Sequence, residues 1–147
     1  ANGRIRHLFE RECSIQRRHQ KIIEEATSPS LTPQLRREML EFCVSMAEAG
    51  GYRNAGTFEF LLNDNKFYFM EVNTRLQVEH TVTEMVLGVD LVKAQIQTAM
   101  GKPLTWDDEM QPRGHAIECR VYAENPYLGG VPSPGVINGI HLPHGPG

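Results

Sequence analysis

The sequence predicts an α+β fold, because helical and strand patterns alternate along the chain and each is bounded by its own stop signals. A 3.6-residue apolar period starts after Thr32-Pro33, another starts after Asp90, and two aromatic-rich runs at 57–62 and 67–72 flank a polar break. Taken in order, Asn2-Gly3 is a hairpin dipeptide with only Ala1 before it. Residues 4–9 then read as a strand whose partner lies outside this chain, so a piece of a larger protein is expected. Thr32 serves as N-cap and Pro33 as first helical residue, with Leu35, Met39, Phe42, Cys43 and Met46 at helical spacing until Gly50-Gly51. The aromatic runs are joined by Asn63-Asp64-Asn65-Lys66, a hairpin by pattern and turn chemistry. A short helical stretch at 84–87 ends at Gly88, and Asp90 caps a helix carrying Leu91, Val92, Ile96 and Met100 up to Gly101. Residues 102–113, with Pro, Asp, Gln and Trp106, read as a connection with a boundary near Arg113. Beyond it, 114–123 and 136–142 read as strands around a turn-rich stretch at 125–135, and 143–147 is again turn-forming.

Composition bounds the function classes. The chain has 147 residues, 40% of them hydrophobic, which is one domain's worth with a core that needs neither disulfides nor a structural metal. Fifteen Lys and Arg against 18 Asp and Glu leave a charge of −3, so no protein-wide positive field exists to hold nucleic acid. Cys13, Cys43 and Cys119 are odd in number and far apart, which fits neither a disulfide framework nor a CxxC site and points to a reducing compartment. No apolar run approaches the roughly 18 residues of a membrane span, and the N-terminus lacks a signal layout. A soluble protein without membrane or nucleic-acid partners is expected.

Glu59 and Glu71 lie on the two strands of the hairpin, and loop length decides whether they share a face. A two-residue turn pairing Asn63 with Lys66 sets Glu59 opposite Met70, whereas a three-residue loop pairing Asn63 with Phe67 sets Glu59 opposite Glu71. The second register also gathers Phe58, Phe60, Leu62, Tyr68, Met70 and Val72 on one apolar face and is preferred. Two carboxylates about 5 Å apart repel by roughly 3 kcal/mol at an effective dielectric of about 20, so something cationic should sit between them. With Asn73 on the same face, the oxygen donors suit a hard divalent ion completed by phosphate. Two solvent-facing glutamates on an ordinary hairpin remain the alternative.

The run EVNTRLQVEH packs Glu71, Asn73, Arg75, Glu79 and His80 into the end of a strand and its loop. Arg75 offers a planar fork for an anion, and Glu79 with His80 offers proton transfer. A solvated loop with incidental charges is the competing reading. Arg17, Arg18 and Lys21 supply local positive charge for an anionic ligand, a solvated strand edge being the commoner reading of such a run, and without a GxxxxGK[ST] or GxGxxG loop any phosphate is held by side chains and metal. His7, His115, His141 and His144 lack metal-ligand spacing and read as surface or satisfied. Cys119 reads as a small packed residue, with Arg120 alternating away from it as an anion or carbonyl contact.

Together ERECSIQRRHQKIIEEA (10–26), GTFEFL (56–61), FYFMEVNTRLQVEH (67–80) and GHAIECRVYAE (114–124) resemble the biotin carboxylase component of biotin-dependent carboxylases. The resemblance implies the C-terminal part of an ATP-grasp domain over 1–112 and the start of the biotin carboxylase C-terminal domain over 113–147. It implies ATP-dependent carboxylation of biotin with bicarbonate through carboxyphosphate, and these residues alone are expected to be inactive, since the glycine-rich loop and nucleotide-binding lysines of the family are not among them. By similarity Glu59 and Glu71 bind ATP and, with Asn73, Mg²⁺ or Mn²⁺, while His19 contacts ATP phosphate. Lys21, Arg75 and the backbone of Val78 resemble the bicarbonate site, Glu79 the general base, and Arg120 the residue that steadies deprotonated biotin. Implied partners are a biotin carboxyl carrier domain, a carboxyltransferase component and further copies of the parent, in the cytoplasm or, for a eukaryotic parent, the mitochondrial matrix. Another ATP-grasp carboxylate ligase and a noncatalytic nucleotide-binding remnant are the competing functions. Thr81, where the family pattern has Pro, is expected to loosen the loop around Glu79, and Asn125 stands where Asp is common.

Overall fold

The structure, a computed structural model, describes residues 4–106 and 109–142. The Asn2-Gly3 turn, the 107–108 part of the connection, and 143–147 with His144 lie outside the described residues. Among the described residues, three α-helices and seven short strands confirm mixed α and β content: β1 (Glu12–Arg17), β2 (Gln20–Ala26), α1 (Pro33–Ala49), β3 (Thr57–Asn63), β4 (Lys66–Asn73), α2 (His80–Leu87), α3 (Leu91–Ala99), β5 (Ala116–Cys119), β6 (Glu124–Asn125) and β7 (Val131–Pro132). They form an antiparallel sheet in the order β1-β2-β5 and the separate hairpins β3-β4 and β6-β7. Residues 4–9, expected as a strand, carry no ladder among the described residues, nor do 136–142; extended chain becomes strand only where a partner supplies hydrogen bonds.

The β1-β2 connection is a two-residue turn, Arg18-His19, with Arg17 paired to Gln20 and both turn residues left-handed, at φ 53° and 61°. That primed geometry matches the twist of a hairpin, but it is normally carried by Asn or Gly, so turn chemistry does not flag it. Helix α1 starts as its cap predicts: the Thr32 hydroxyl accepts from the Leu35 amide at 3.2 Å, and Gly50 closes the far end. It buries Leu35, Met39, Leu40 and Ala47 and lays Phe42 on the hairpin, 5.9 to 6.5 Å from the rings of Phe60, Phe67 and Phe69.

The β3-β4 hairpin closes through Asp64-Asn65, left-handed at φ 49° and 57°, pairing Asn63 with Lys66. This is the two-residue turn, not the expected three-residue loop. Yet Glu59 still faces Glu71, because a bulge between Glu59 and Phe60 pairs Phe60 with Phe69 and leaves Met70 as the extra residue. The bulge also changes the apolar face, whose rings in mutual contact are Phe58, Phe60, Phe67 and Phe69; Phe69 nonetheless stays exposed, like Tyr68 and Met70.

Helix α2 starts at His80, four residues earlier than the pattern suggests, and ends at Gly88, whose φ of 67° favours glycine. Its Val82 and Val86 pack with Ala26 of β2 as the most deeply buried cluster, flanked by Leu87 and Ala116. Asp90 caps α3 by accepting from the Lys93 amide at 2.8 Å; the helix buries Leu91 and Ala94 and leaves Val92 and Ile96 exposed. The strand expected over 114–123 is limited to β5, which pairs with β2 so that Glu24 faces Glu118. None of the described helices is long and apolar enough to cross a membrane.

Candidate active site

The sheet brings Lys21 and Glu24 of β2 beside Arg120 at the end of β5, and the hairpin presents Glu59, Glu71 and Asn73. The loop between β4 and α2 then folds back, placing Gln77 and Glu79 between the two sheets. Lys21 Nζ donates to Glu79 Oε1 at 2.7 Å and to Glu59 Oε1 at 2.9 Å. Arg120 Nη2 donates to Glu79 Oε2 at 2.8 Å, while its Nε lies 2.7 Å from Glu24 Oε1. Asn73 Nδ2 donates to Glu59 Oε1 and Glu71 Oε1, both at 3.0 Å, and Gln77 Nε2 donates to Glu59 Oε1 at 2.6 Å. Charge therefore alternates along one connected path: Glu24, Arg120, Glu79, Lys21, Glu59.

Burial sets the electrostatics. Glu79 is 2% exposed, which by itself would raise its carboxyl, but bonding to the Lys21 ammonium outweighs this and holds it below the usual carboxylate range. Partial burial would lower Lys21, and its bonds to Glu79 and Glu59 instead raise it. Cys13 lies beside the pair, Sγ 3.9 Å from Glu79 Oε1, with its thiol pushed up to about 11 by burial. Both partners of the Lys21–Glu79 pair thus keep their charges at neutral pH.

Glu59, Glu71 and Asn73 fit a hard divalent cation. Among the described residues no group of three His, Cys, Asp or Glu forms a complete metal cage. Two carboxylates with the Asn73 amide oxygen make an all-oxygen partial set of the kind Mg²⁺ or Mn²⁺ completes with phosphate. The Asn73 amide nitrogen now lies between the carboxylates, its partial positive charge standing where a cation's would. Its oxygen accepts from Arg75 Nη2 at 3.1 Å.

Of the residues singled out in the sequence, Lys21, Glu59, Glu71, Asn73, Glu79 and Arg120 meet in this network. Among the described residues Arg75 reaches it through Asn73; its other bond is to the Leu76 carbonyl at 3.3 Å, so within them its exposed guanidinium touches only neutral acceptors. Val78 is exposed, and His19 stands at the exposed tip of the β1-β2 turn, outside the hydrogen-bonded path. Four expectations are corrected. His80 does not share proton transfer with Glu79: its Nδ1 lies 2.9 Å from the Gln77 carbonyl and its Nε2 3.8 Å from Glu84, bracing the loop. Arg17 is not free positive charge, because it binds the Glu124 carboxylate at 2.6 Å; Arg18 keeps its charge, donating to the neutral Gly129 carbonyl at 2.7 Å. Cys119 is exposed, and Thr81 is tied to β5 through a hydrogen bond from its hydroxyl to Glu118. Asn125 caps the turn after β6 by accepting from the Tyr127 amide at 3.0 Å.

Sequence reading missed Arg11, Gln77 and Glu24. Arg11 donates to Thr83 Oγ1 at 3.0 Å, Thr57 Oγ1 at 3.1 Å and Gln77 Oε1 at 3.0 Å. Since a guanidinium has only donors, it turns the Gln77 carbonyl toward itself and the amide nitrogen toward Glu59. The only available signal was position, inside the quoted runs at 10–26 and 67–80.

Residues 1–106 match the family described as carbamoyl-phosphate synthase L chain, ATP binding domain. The chain is 56% identical over 146 residues to a biotin carboxylase of Allochromatium vinosum, covering 99% of this chain and 32% of that relative. It is 50% identical over 147 residues to a biotin carboxylase of Haemophilus influenzae, covering 99% and 33%. Among solved structures, the biotin carboxylase domain dimer of Hydrogenobacter thermophilus 2-oxoglutarate carboxylase, in complex with MgADP, ADP and bicarbonate, superposes with a TM-score of 0.91 at 48% identity, over 97% of this chain and 32% of that one. The chain thus spans about a third of the length of the curated relatives it matches. It belongs to the carbamoyl-phosphate synthase L chain ATP-binding domain family, and it resembles biotin carboxylases along nearly its whole length.

Proposed function

We propose that the full-length protein containing these residues carboxylates biotin with ATP and bicarbonate: bicarbonate attacks the γ-phosphate and displaces ADP, the carboxyphosphate formed breaks into carbon dioxide and phosphate, and N1′ of biotin, giving up its proton to that phosphate, bonds to the carbon dioxide. The observation that carries this reading is Glu79, a carboxylate 2% exposed yet kept ionised between Lys21 and Arg120. An ionised carboxylate fixed at this point can accept the bicarbonate proton as the anion attacks, its basicity recovering as Lys21 turns from it to the anion. Lys21, Arg75 and the backbone of Val78 hold bicarbonate, Arg75 being suited to it because its guanidinium now touches only neutral oxygens. Arg120 steadies the enolate-like oxygen of deprotonated biotin. Glu59, Glu71 and Asn73 hold Mg²⁺ or Mn²⁺ against ATP, with His19 on a phosphate. The bound ion neutralises charge on the phosphates.

Residues 1–112 are the C-terminal part of an ATP-grasp domain and 113–147 the start of the next domain, a division supported by the family match ending at residue 106. The dimeric relative supports a homo-oligomeric parent, working with a biotin carboxyl carrier domain and a carboxyltransferase component. The three free cysteines support the cytoplasm or mitochondrial matrix. In the full-length protein, ADP release should require Mg²⁺, bicarbonate and free biotin together, and Glu79→Gln should lower biotin carboxylation by about 10²–10⁴-fold. ATP cleavage that ignores bicarbonate, or a fully active Glu79→Gln, overturns the reading. Turnover on a different carboxylate would identify another ATP-grasp ligase, which has no use for Arg120 against Glu79.

A further inference from the structure

Glu24 has no part in the roles above, yet it is the most completely buried ionisable group described. It lies on β2, 0% exposed, and neither carboxyl oxygen has a hydrogen-bond partner. A carboxylate out of water is tolerated only where a cation offsets the lost hydration. Here that cation is Arg120, whose Nε is 2.7 Å from Glu24 Oε1, an ion pair in which the N–H is not aimed at the oxygen. Burial pushes the Glu24 carboxyl up, Arg120 opposes this, and the neighbouring Glu118 and Glu79 add to the rise.

The two edges of the guanidinium have different neighbours. The Nε side meets Glu24, a carboxylate sealed from solvent, and Nη2 meets Glu79, which on its other oxygen takes Lys21. The backbone at Arg120 is fixed as well, its amide donating to the Ile22 carbonyl at 2.9 Å. An arginine side chain on a strand end has many rotamers, and backbone placement alone does not choose among them. We propose that Glu24 is the positioning residue for Arg120, holding the Nε edge from below so that the Nη edge faces Glu79 and the incoming substrate. Nη2 can then exchange Glu79 for a substrate oxygen while the guanidinium stays in place. The role of Arg120 toward biotin rests on the function proposed above; its anchoring by Glu24 does not.

The test uses the full-length protein with Glu24→Gln, which keeps shape and removes charge, and Glu24→Asp, which keeps charge and shortens the reach. Crystals of Glu24→Gln should show the Arg120–Glu79 hydrogen bond broken. Biotin-dependent turnover should fall between about tenfold and 10²-fold, the loss expected from misplacing one group by about 1 Å, with KM for ATP unchanged. The same substitution in an Arg120→Gln background should cause no further loss, because the two residues act as a unit. If Glu24→Gln does not fold, Glu24→Asp should fold and show a smaller loss with a displaced Arg120. An intact Arg120–Glu79 hydrogen bond together with wild-type kcat overturns the proposal, as does a fall in ATP affinity equal to the fall in kcat, which marks a merely structural role. Absence of biotin-dependent turnover in the wild type would overturn the functional reading alone, and the crystallographic position of Arg120 would then decide the role of Glu24.

Discussion

Replacing Glu71 by Gln should stabilise the cation-free protein and weaken its response to divalent metal. Both Glu59 and Glu71 accept from Asn73 Nδ2 at 3.0 Å, which holds the two oxygens within about 6 Å of each other. At that distance like charges repel by about 0.7 kcal/mol in water and about 2.8 kcal/mol at an effective dielectric of about 20. Glu71 is exposed and the Asn73 amide offsets part of the repulsion, so the lower end applies, about 1 kcal/mol. Gln keeps a carbonyl oxygen for Asn73, so Glu71→Gln relieves the repulsion without leaving that donor unpaired. Metal acts in the opposite sense: a ligand at about 100 times its Kd stabilises the native state by about 2.7 kcal/mol, and the variant lacks one of the two carboxylates that would bind it. Thermal unfolding of the full-length protein in EDTA and again with MgATP reads both effects. The midpoints should cross, Glu71→Gln being higher in EDTA and lower in MgATP. An equal MgATP shift in both proteins, or a less stable variant in EDTA, would refute the reasoning.

Lys21→Met should shrink the acid response of Glu79. In the wild type its folded value lies below the ordinary 4.5, so its ionisation stabilises the fold above that value and the gain is lost as pH falls through the folded value; without Lys21, burial is opposed by fewer partners, Arg120 among them, and urea unfolding should show a smaller loss of stability as pH falls below 4.5, an unchanged slope contradicting this. His19→Gly should raise stability by about 0.5–1 kcal/mol, because φ 61° strains any side chain there, while weakening nucleotide binding by calorimetry; a destabilised variant would show that the His19 side chain packs. Arg11→Met should cost about 2–4 kcal/mol, since three acceptors, those of Gln77 and Thr83 on buried residues, lose a charged donor, and it should lower kcat by freeing Gln77 to flip; a loss under about 0.5 kcal/mol in urea unfolding would contradict this.

The local features of the fold were legible. Thr32-Pro33 and Asp90 act within one turn of their own helices, and Gly88 stops α2 by its own conformation, so sequence spacing suffices for them. The hairpin shows where locality fails. Parity counting assumes an unbroken ladder, and under that assumption only a three-residue loop sets Glu59 opposite Glu71. The chain keeps the tighter Asp64-Asn65 turn and recovers the pairing by extruding Met70. Phe42 of α1 packs on Phe60, Phe67 and Phe69, and this contact across the chain selects the face that the bulge produces. Arg11 was illegible for the same reason: its acceptors are 46, 66 and 72 residues away. Nothing within a window of the sequence distinguishes it from a surface arginine.

The distribution of charge gives the site a direction. Lys21 and Arg120 bond carboxylates at one end, and both of them reach Glu79. Arg11 and Arg75 reach only amides, hydroxyls and a carbonyl. Lys21 already offsets Glu59, so among the described residues the negative charge without an ion pair at this end is that of Glu71, and the nearest such positive charge along the chain is Arg75, two residues past Asn73. Because Asn73 joins the two, with its nitrogen on the carboxylates and its oxygen on Arg75, a cation arriving at the glutamates would compete for the Asn73 oxygen and release the guanidinium. A divalent cation on the glutamates and an anion on the released Arg75 would then occupy adjacent positions. Phosphoryl transfer to an anionic acceptor needs that order, since the metal must hold the phosphates while separate cations hold the nucleophile.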